Sequence, residues 1–184
     1  AIVMNANPFT LGHLYLVQEA AKRCDNLYVF PVRADRSEFP YKDRYRLVEE
    51  GCACLDNVEI LDGGNYIISG ATFPTYFLKQ MGQAAQTQAQ LVLDIFARHI
   101  APSLDIKIRF VGSEPLDPFT QTFNETMLQI LPPHAIKVEV IERLQSNGQP
   151  VSASRVRTLL KEGRLAETQA LVPPSTFAYL ATPA

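Results

Sequence analysis

A short apolar run, Ile2-Val3-Met4, stops at Asn5, and the chain turns through Asn7-Pro8 before an amphipathic pattern begins near Leu11. A run of this length suits a buried strand, Pro8 punctuates it, and the periodicity beyond it predicts a helix. On that helix His13, Leu14, Val17, Ala20, Ala21 and Cys24 share one face, and Tyr15, Gln18, Glu19 and Lys22 the other. His13 is therefore expected on the sheet-facing side, in the first turn.

The same strand-then-helix order continues. Asn26 to Val32 reads as a second buried strand, Arg33 to Ser37 as a polar loop, about Pro40 to Leu55 as a helix, and Val58 to Leu61 as a third strand closed by Gly63-Gly64. That alternation predicts a parallel sheet with right-handed crossovers. The middle is less regular: a small helix is expected near Tyr76 to Met81, and the Gln/Ala-rich stretch from Gln83 to Gln90 reads as a loop and helix inserted in the same domain. Ile106 to Val111 and Ile136 to Ile141 are the fourth and fifth strands, separated by a helix from about Pro118 to Leu131. Helices at Ser152 to Glu162 and around Leu165 to Leu171 precede a tail after Pro173-Pro174.

Two junctions carry polar groups suited to an anion. A helix's first turn has unpaired N–H groups and a partial positive charge, so at the carboxyl end of a strand it is a phosphate site. Thr10 and His13 add a hydroxyl and an imidazole there, and Gly12 leaves the backbone open to close approach. The plainer alternative is that Thr10 caps the helix, Gly12 serves packing and His13 is a satisfied buried histidine. The second junction is Val151-Ser152-Ala153-Ser154-Arg155-Val156-Arg157. Ser152 is a candidate N-cap, Ser154 and Arg157 are neighbours at a spacing of three, and Val156, Leu159 and Leu160 form the core-facing stripe. Of the two arginines, geometry favours Arg157 for a phosphate; the alternative is a capped surface helix with solvated arginines.

The totals bound the rest. A chain of 184 residues, 47% apolar and 20% charged, fits one globular domain with a substantial core. Its net charge of -2 gives no sign of nucleic-acid or membrane binding, no apolar run has transmembrane length, and no secretory pattern is visible, so a cytoplasmic protein is expected. Cys24, Cys52 and Cys54 have no metal-ligand spacing and read as reduced thiols; no residue is assigned to a metal.

Thr10-Leu11-Gly12-His13 after Asn7-Pro8-Phe9 resembles the T/H-x-G-H signature of the HIGH-type nucleotidyltransferase superfamily. Val151 to Arg157 resembles its second signature, I-S-S-T-x-x-R, with Ala153 replacing a serine and Ser154 a threonine. Arg36, before Phe39 and Lys42-Asp43-Arg44, looks like the superfamily's basic loop residue, with Arg33 and Lys42 as alternatives. Longer blocks are similar to the citrate lyase ligase family: Met4 to His13, Tyr66 to Ser69 with Ala71 to Pro74, Phe110 to Pro115, and Glu142 to Leu144 with Gly148 to Arg157.

The resemblance implies an α/β, Rossmann-like doubly wound parallel sheet over residues 1–184, the catalytic domain of a family whose further N-terminal, acetyltransferase-like region is absent here. It implies an AMP-forming ligase that uses ATP and Mg2+ to convert acetate to acetyl-adenylate. The acetyl group then passes to the thiol of the dephospho-coenzyme A-type group on citrate lyase's acyl carrier subunit. Thr10, His13 and Arg157 are the implied catalytic residues, and Asn7, Phe9, Gly12, Arg36, Gly112, Ser113, Glu114, Ser152 and Ser154 the nucleotide-binding ones. Asn124 is a weaker candidate for the same pocket, and Tyr66, Ser69 and Thr72 for the acceptor surface. The alternatives are adenylyl transfer to a phosphate ester such as a pantetheine phosphate, and a non-catalytic nucleotide-binding module.

Overall fold

The computed structural model describes residues 1–33, 37–78, 82–114, 117–146 and 148–182. The chain opens with β1 (Ile2–Met4), α1 (Leu11–Ala21), β2 (Leu27–Pro31), α2 (Tyr41–Cys52) and β3 (Val58–Ile60). All pairings among these strands are parallel, with Ile2 opposite Val29 and Leu27 opposite Val58. Farther on, β4 (Ile108–Gly112) and β5 (Lys137–Ile141) pair in parallel, Ile108 opposite Lys137. Two hydrogen bonds bring β4 alongside β1: Phe110 N–H donates to the Ala1 carbonyl at 2.9 Å, and Ala1 N donates to the Ile108 carbonyl at 2.6 Å. The lateral order is therefore β3-β2-β1-β4-β5, and the direction of travel reverses between β1 and β4. In a doubly wound sheet the ligand crevice opens at that reversal, beyond the strands' carboxyl ends.

Side-chain alternation along the strands builds two cores. Leu27 and Val29 of β2 face Val17, Ala20, Leu47 and Val48 of α1 and α2, while Tyr28 and Phe30 face the opposite layer. That opposite layer comprises α3 (Pro74–Leu78), α4 (Gln83–Ile95), a π-helical turn (Phe96–Ile100), α5 (Ala101–Ser103) and α6 (Pro118–Ile130). The Gln/Ala-rich stretch is helical from its first residue, which differs from the expected loop and helix. Ala85 and Ala89, four apart, are buried in line with Val92, Leu93 and Phe96, and the exposed glutamines cover the other face.

The C-terminal part adds a hairpin of β6 (Gln145–Ser146) and β7 (Gln149–Pro150), then α7 (Ala153–Lys161), α8 (Leu165–Thr168) and α9 (Pro174–Ala181). The expected tail after Pro173-Pro174 is thus a helix. Pro174 occupies its first position, where a missing N–H costs nothing, and Tyr179 Oη donates to Asp43 Oδ2 at 3.0 Å, tying it to α2. Among the described residues no helix is long and apolar enough to cross a membrane.

Candidate active site

A cavity of about 610 Å³ opens at the reversal between β1 and β4. Its walls are the turn after β1, the first turns of α1 and α7, the residues after β4 and β5, and one flank of α6.

The α1 wall is built around a reciprocal cap. The His13 N–H donates to Thr10 Oγ1 at 3.4 Å, while the Thr10 N–H donates to His13 Nδ1 at 3.1 Å and the Thr10 hydroxyl lies 2.9 Å from the same nitrogen. A ring nitrogen that accepts a backbone N–H carries no proton, so neutral His13 keeps its hydrogen on Nε2. Burial, with a smaller contribution from the positive charge of Arg143, lowers the His13 pKa from 6.5 to about 4. His13 at neutral pH is therefore an uncharged Nε2–H donor bordering the cavity.

The two sequence junctions meet here. A Cβ at Gly12 would lie 2.9 Å from the Val151 carbonyl oxygen, and Leu11 N–H donates to the Leu171 carbonyl at 2.9 Å. Gly12 lines the cavity, but what its missing side chain admits is the backbone of the second junction. Ser152 caps α7, accepting from the Arg155 N–H at 3.2 Å. Arg157 donates through Nη2 to Ser154 Oγ at 3.1 Å and through Nη1 to the Asn7 carbonyl at 2.5 Å, and Glu38 lies 3.5 Å from its Nε. Asn7 is held in turn, its Oδ1 accepting from the Phe39 N–H at 3.0 Å. Thr10, His13, Asn7, Gly12, Ser152, Ser154 and Arg157 all line the cavity.

The β4 wall carries Gly112 and Glu114, with the Asn124 side chain donating to the Gly112 carbonyl at 3.1 Å. Among the described residues nothing lies within 4 Å of a Cβ placed on Gly112. Ser113 is not on the cavity wall. Its hydroxyl donates to Glu142 and accepts from the Arg143 N–H, both at 3.1 Å, so it positions the residues after β5.

Phe9 departs from its expected nucleotide contact: it is fully buried, and its ring stacks on His13 with centroids 5.8 Å apart. It supports His13 from behind. Arg36 lies outside the described residues. Of its alternatives, Arg33 pairs with Asp62 at 3.1 Å, and neither Arg33 nor Lys42 lines the cavity. Ser69 and Thr72 bond each other at 3.1 Å and close their own loop, and Tyr66 is exposed outside the cavity.

Two of the cavity's cationic residues, Arg143 and Arg109, are not among the residues the sequence assigns to the site. Arg143 pairs with the nearly buried Glu114, and the signal for it was its place just after a strand on the ligand side of the sheet. Arg109 projects from β4 into the α4 and α6 layer, and the signal was a cation within an apolar strand.

The doubly wound parallel sheet and the paired helix N-termini define a Rossmann-like α/β domain. A solved structure of Thermotoga maritima TmcAL, bound with alpha-thio ATP, has a similar fold at a TM-score of 0.60 and 16% identity, covering 97% of this chain and 54% of that one. Residues 1–180 match the family model of the citrate lyase ligase C-terminal domain, and the chain belongs to that family. It is 48% identical over 184 residues to the citrate (pro-3S)-lyase ligase of Klebsiella pneumoniae, covering 98% of this chain and 54% of that protein. To the ligase of the same name from Escherichia coli K12 it is 45% identical over 186 residues, covering 97% and 52%. The chain thus spans about half the length of these curated relatives.

Proposed function

We propose that this chain is the adenylating domain, residues 1–184, of an AMP-forming acid–thiol ligase acting on citrate lyase in the cytoplasm. A carboxylate oxygen of acetate attacks the α-phosphorus of ATP, the bond to the bridging oxygen breaks, and pyrophosphate leaves, giving acetyl-adenylate. The thiol of the dephospho-coenzyme A-type group on the citrate lyase acyl carrier then attacks the acetyl carbonyl. AMP departs, and the thiol proton is released.

Such a reaction asks for positioned donors where charge develops on phosphoryl oxygens. The observation that carries the reading is the Thr10–His13 cap, which fixes a neutral imidazole with Nε2–H at the cavity beside the first turns of two helices. His13 and Thr10 would meet the reacting phosphate, and Ser152, Ser154 and Arg157 the rest of the triphosphate, with Arg157 exchanging Glu38 for a phosphate oxygen. Among the described residues no three His, Cys, Asp or Glu side chains are grouped to hold a metal. Thr10, Ser152, Ser154 and Arg157 would hold the triphosphate, and a Mg2+ brought with the nucleotide would supply charge screening there.

The test is Mg2+-dependent ATP–pyrophosphate exchange by the purified chain, with and without acetate, repeated on the longer protein if the chain is silent. Exchange that requires acetate is expected. Its absence in both would overturn the reading, and AMP retained in a product with pantetheine phosphate would replace it with adenylyl transfer.

A further inference from the structure

Among the described residues two arginines are buried, and they differ in how their charge is met. Arg44 is fully buried and donates to the Phe39, Asn5 and Val32 carbonyls at 2.7 to 3.0 Å. Arg109 is 4% exposed, yet its Nε and Nη1 have no hydrogen-bond partner, and no ion pair reaches it among the described residues. Its guanidinium lies over the Phe96 ring, 4.8 Å from the centroid, which satisfies the face of the cation and none of its N–H groups. An unpaired buried charge costs several kcal/mol, and each two-nitrogen edge of a guanidinium includes one of the two unsatisfied atoms.

Arg109 also borders the active-site cavity, whose lining includes the apolar side chains of Val3, Val111, Phe123 and Met127 as well as Tyr76. The phosphate end of the cavity is a different wall, the one formed by α1 and α7. We propose that Arg109 is the anchor for the acid substrate: its guanidinium receives the carboxylate, and the apolar part of the lining receives a short alkyl group, which makes this the subsite of a small monocarboxylate. A planar carboxylate matches the guanidinium edge, and a methyl group needs no polar partner. Burial lowers the Arg109 pKa only to about 9, so the group is still cationic at neutral pH. The inference rests on the adenylating reading given above and adds the residue that selects the acid.

Arg109→Met and Arg109→Lys test it. In acetate-dependent exchange, Arg109→Met is expected to raise the KM for acetate at least thirtyfold with the KM for ATP within twofold, and Arg109→Lys to recover part of the loss. Equal changes in both KM values, or an acetate KM within twofold of wild type, would overturn the assignment. Acetate binding is also read without turnover, from broadening of the acetate methyl NMR signal by the wild-type protein holding a non-hydrolysable ATP analogue. Broadening abolished by Arg109→Met supports the subsite even if exchange fails, in which case the ligase reading alone falls. Absence of broadening with wild type overturns the subsite, whether or not the variants fold.

Discussion

His13 stays neutral because burial disfavours the imidazolium and Arg143 adds a like charge, and this state sets the pH behaviour of both function and stability. Its hydrogen-bonding role persists from neutral pH down to about 5, so kcat/KM for ATP should show no His13 limb near pH 6.5. A limb near 6.5 that disappears in a His13 variant would contradict the neutral-donor assignment. His13→Ala should lower turnover more than roughly tenfold, since a well-placed donor supplies about 3 kcal/mol, while circular dichroism and the melting curve remain those of a folded domain. Stability moves the other way with acid. The unfolded chain takes up the His13 proton near pH 6.5 and the folded chain only near pH 4, so this contribution is complete above 6.5 and lost as pH falls towards 4. The loss is roughly 2 kcal/mol once partial exposure is allowed for. His13→Asn should flatten that part of the urea-unfolding profile; an unchanged slope between pH 6.5 and 4 would place the titration elsewhere.

At the scale of elements, the first turns of α1 and α7 are locked by the absence of a side chain at Gly12. Gly12→Ala gains up to about 1 kcal/mol of helix propensity but sets a Cβ 2.9 Å from the Val151 carbonyl, a backbone atom that cannot swing aside. Overpacking of this kind costs about 1 to 3 kcal/mol, so the net effect is destabilising, and the parted helix ends should raise the KM for ATP at least threefold. A variant as stable as wild type, with unchanged KM, would show that the junction is not rigid. Much of this site was legible in the sequence because strand-turn-helix patterning is local: the short apolar run, the turn at Pro8 and the capping residues Thr10 and Ser152 all declare themselves within a few positions. Phe9 was misread because its partner, the bare backbone of Gly51, lies on another helix, where any side chain would strike the ring. Arg143 and Arg109 escaped for the same reason: their meaning comes from the reversal of strand order between β1 and β4, which no local pattern states. The helix at Pro174 was missed because Pro173-Pro174 signals a chain break as readily as a helix start.

Across the whole molecule, the crevice exists because two halves of the sheet lead away from one another, and something must hold the loops at its rim. Arg44 does this for the α1 and α2 side, binding the carbonyl ends of β1 and β2 and the entry to α2 at once. Arg109 lies on the other face of the sheet, its guanidinium over the Phe96 ring, its Nε and Nη1 buried without a hydrogen-bond partner, and its side chain bordering the cavity. The two buried cations should therefore respond oppositely to the same substitution. Arg44→Met strands three carbonyls and should cost about 3 kcal/mol or more, which for a domain of this size lowers Tm by about 6 to 12 °C. Arg109→Met removes an unmet charge and replaces it with a flexible apolar chain of similar length, so Tm should stay at or above the wild-type value. Thermal unfolding of both variants without ligands measures the contrast directly. A large loss of stability in Arg109→Met would mean that the guanidinium is tied into the fold after all, and its place in the cavity wall would then be structural.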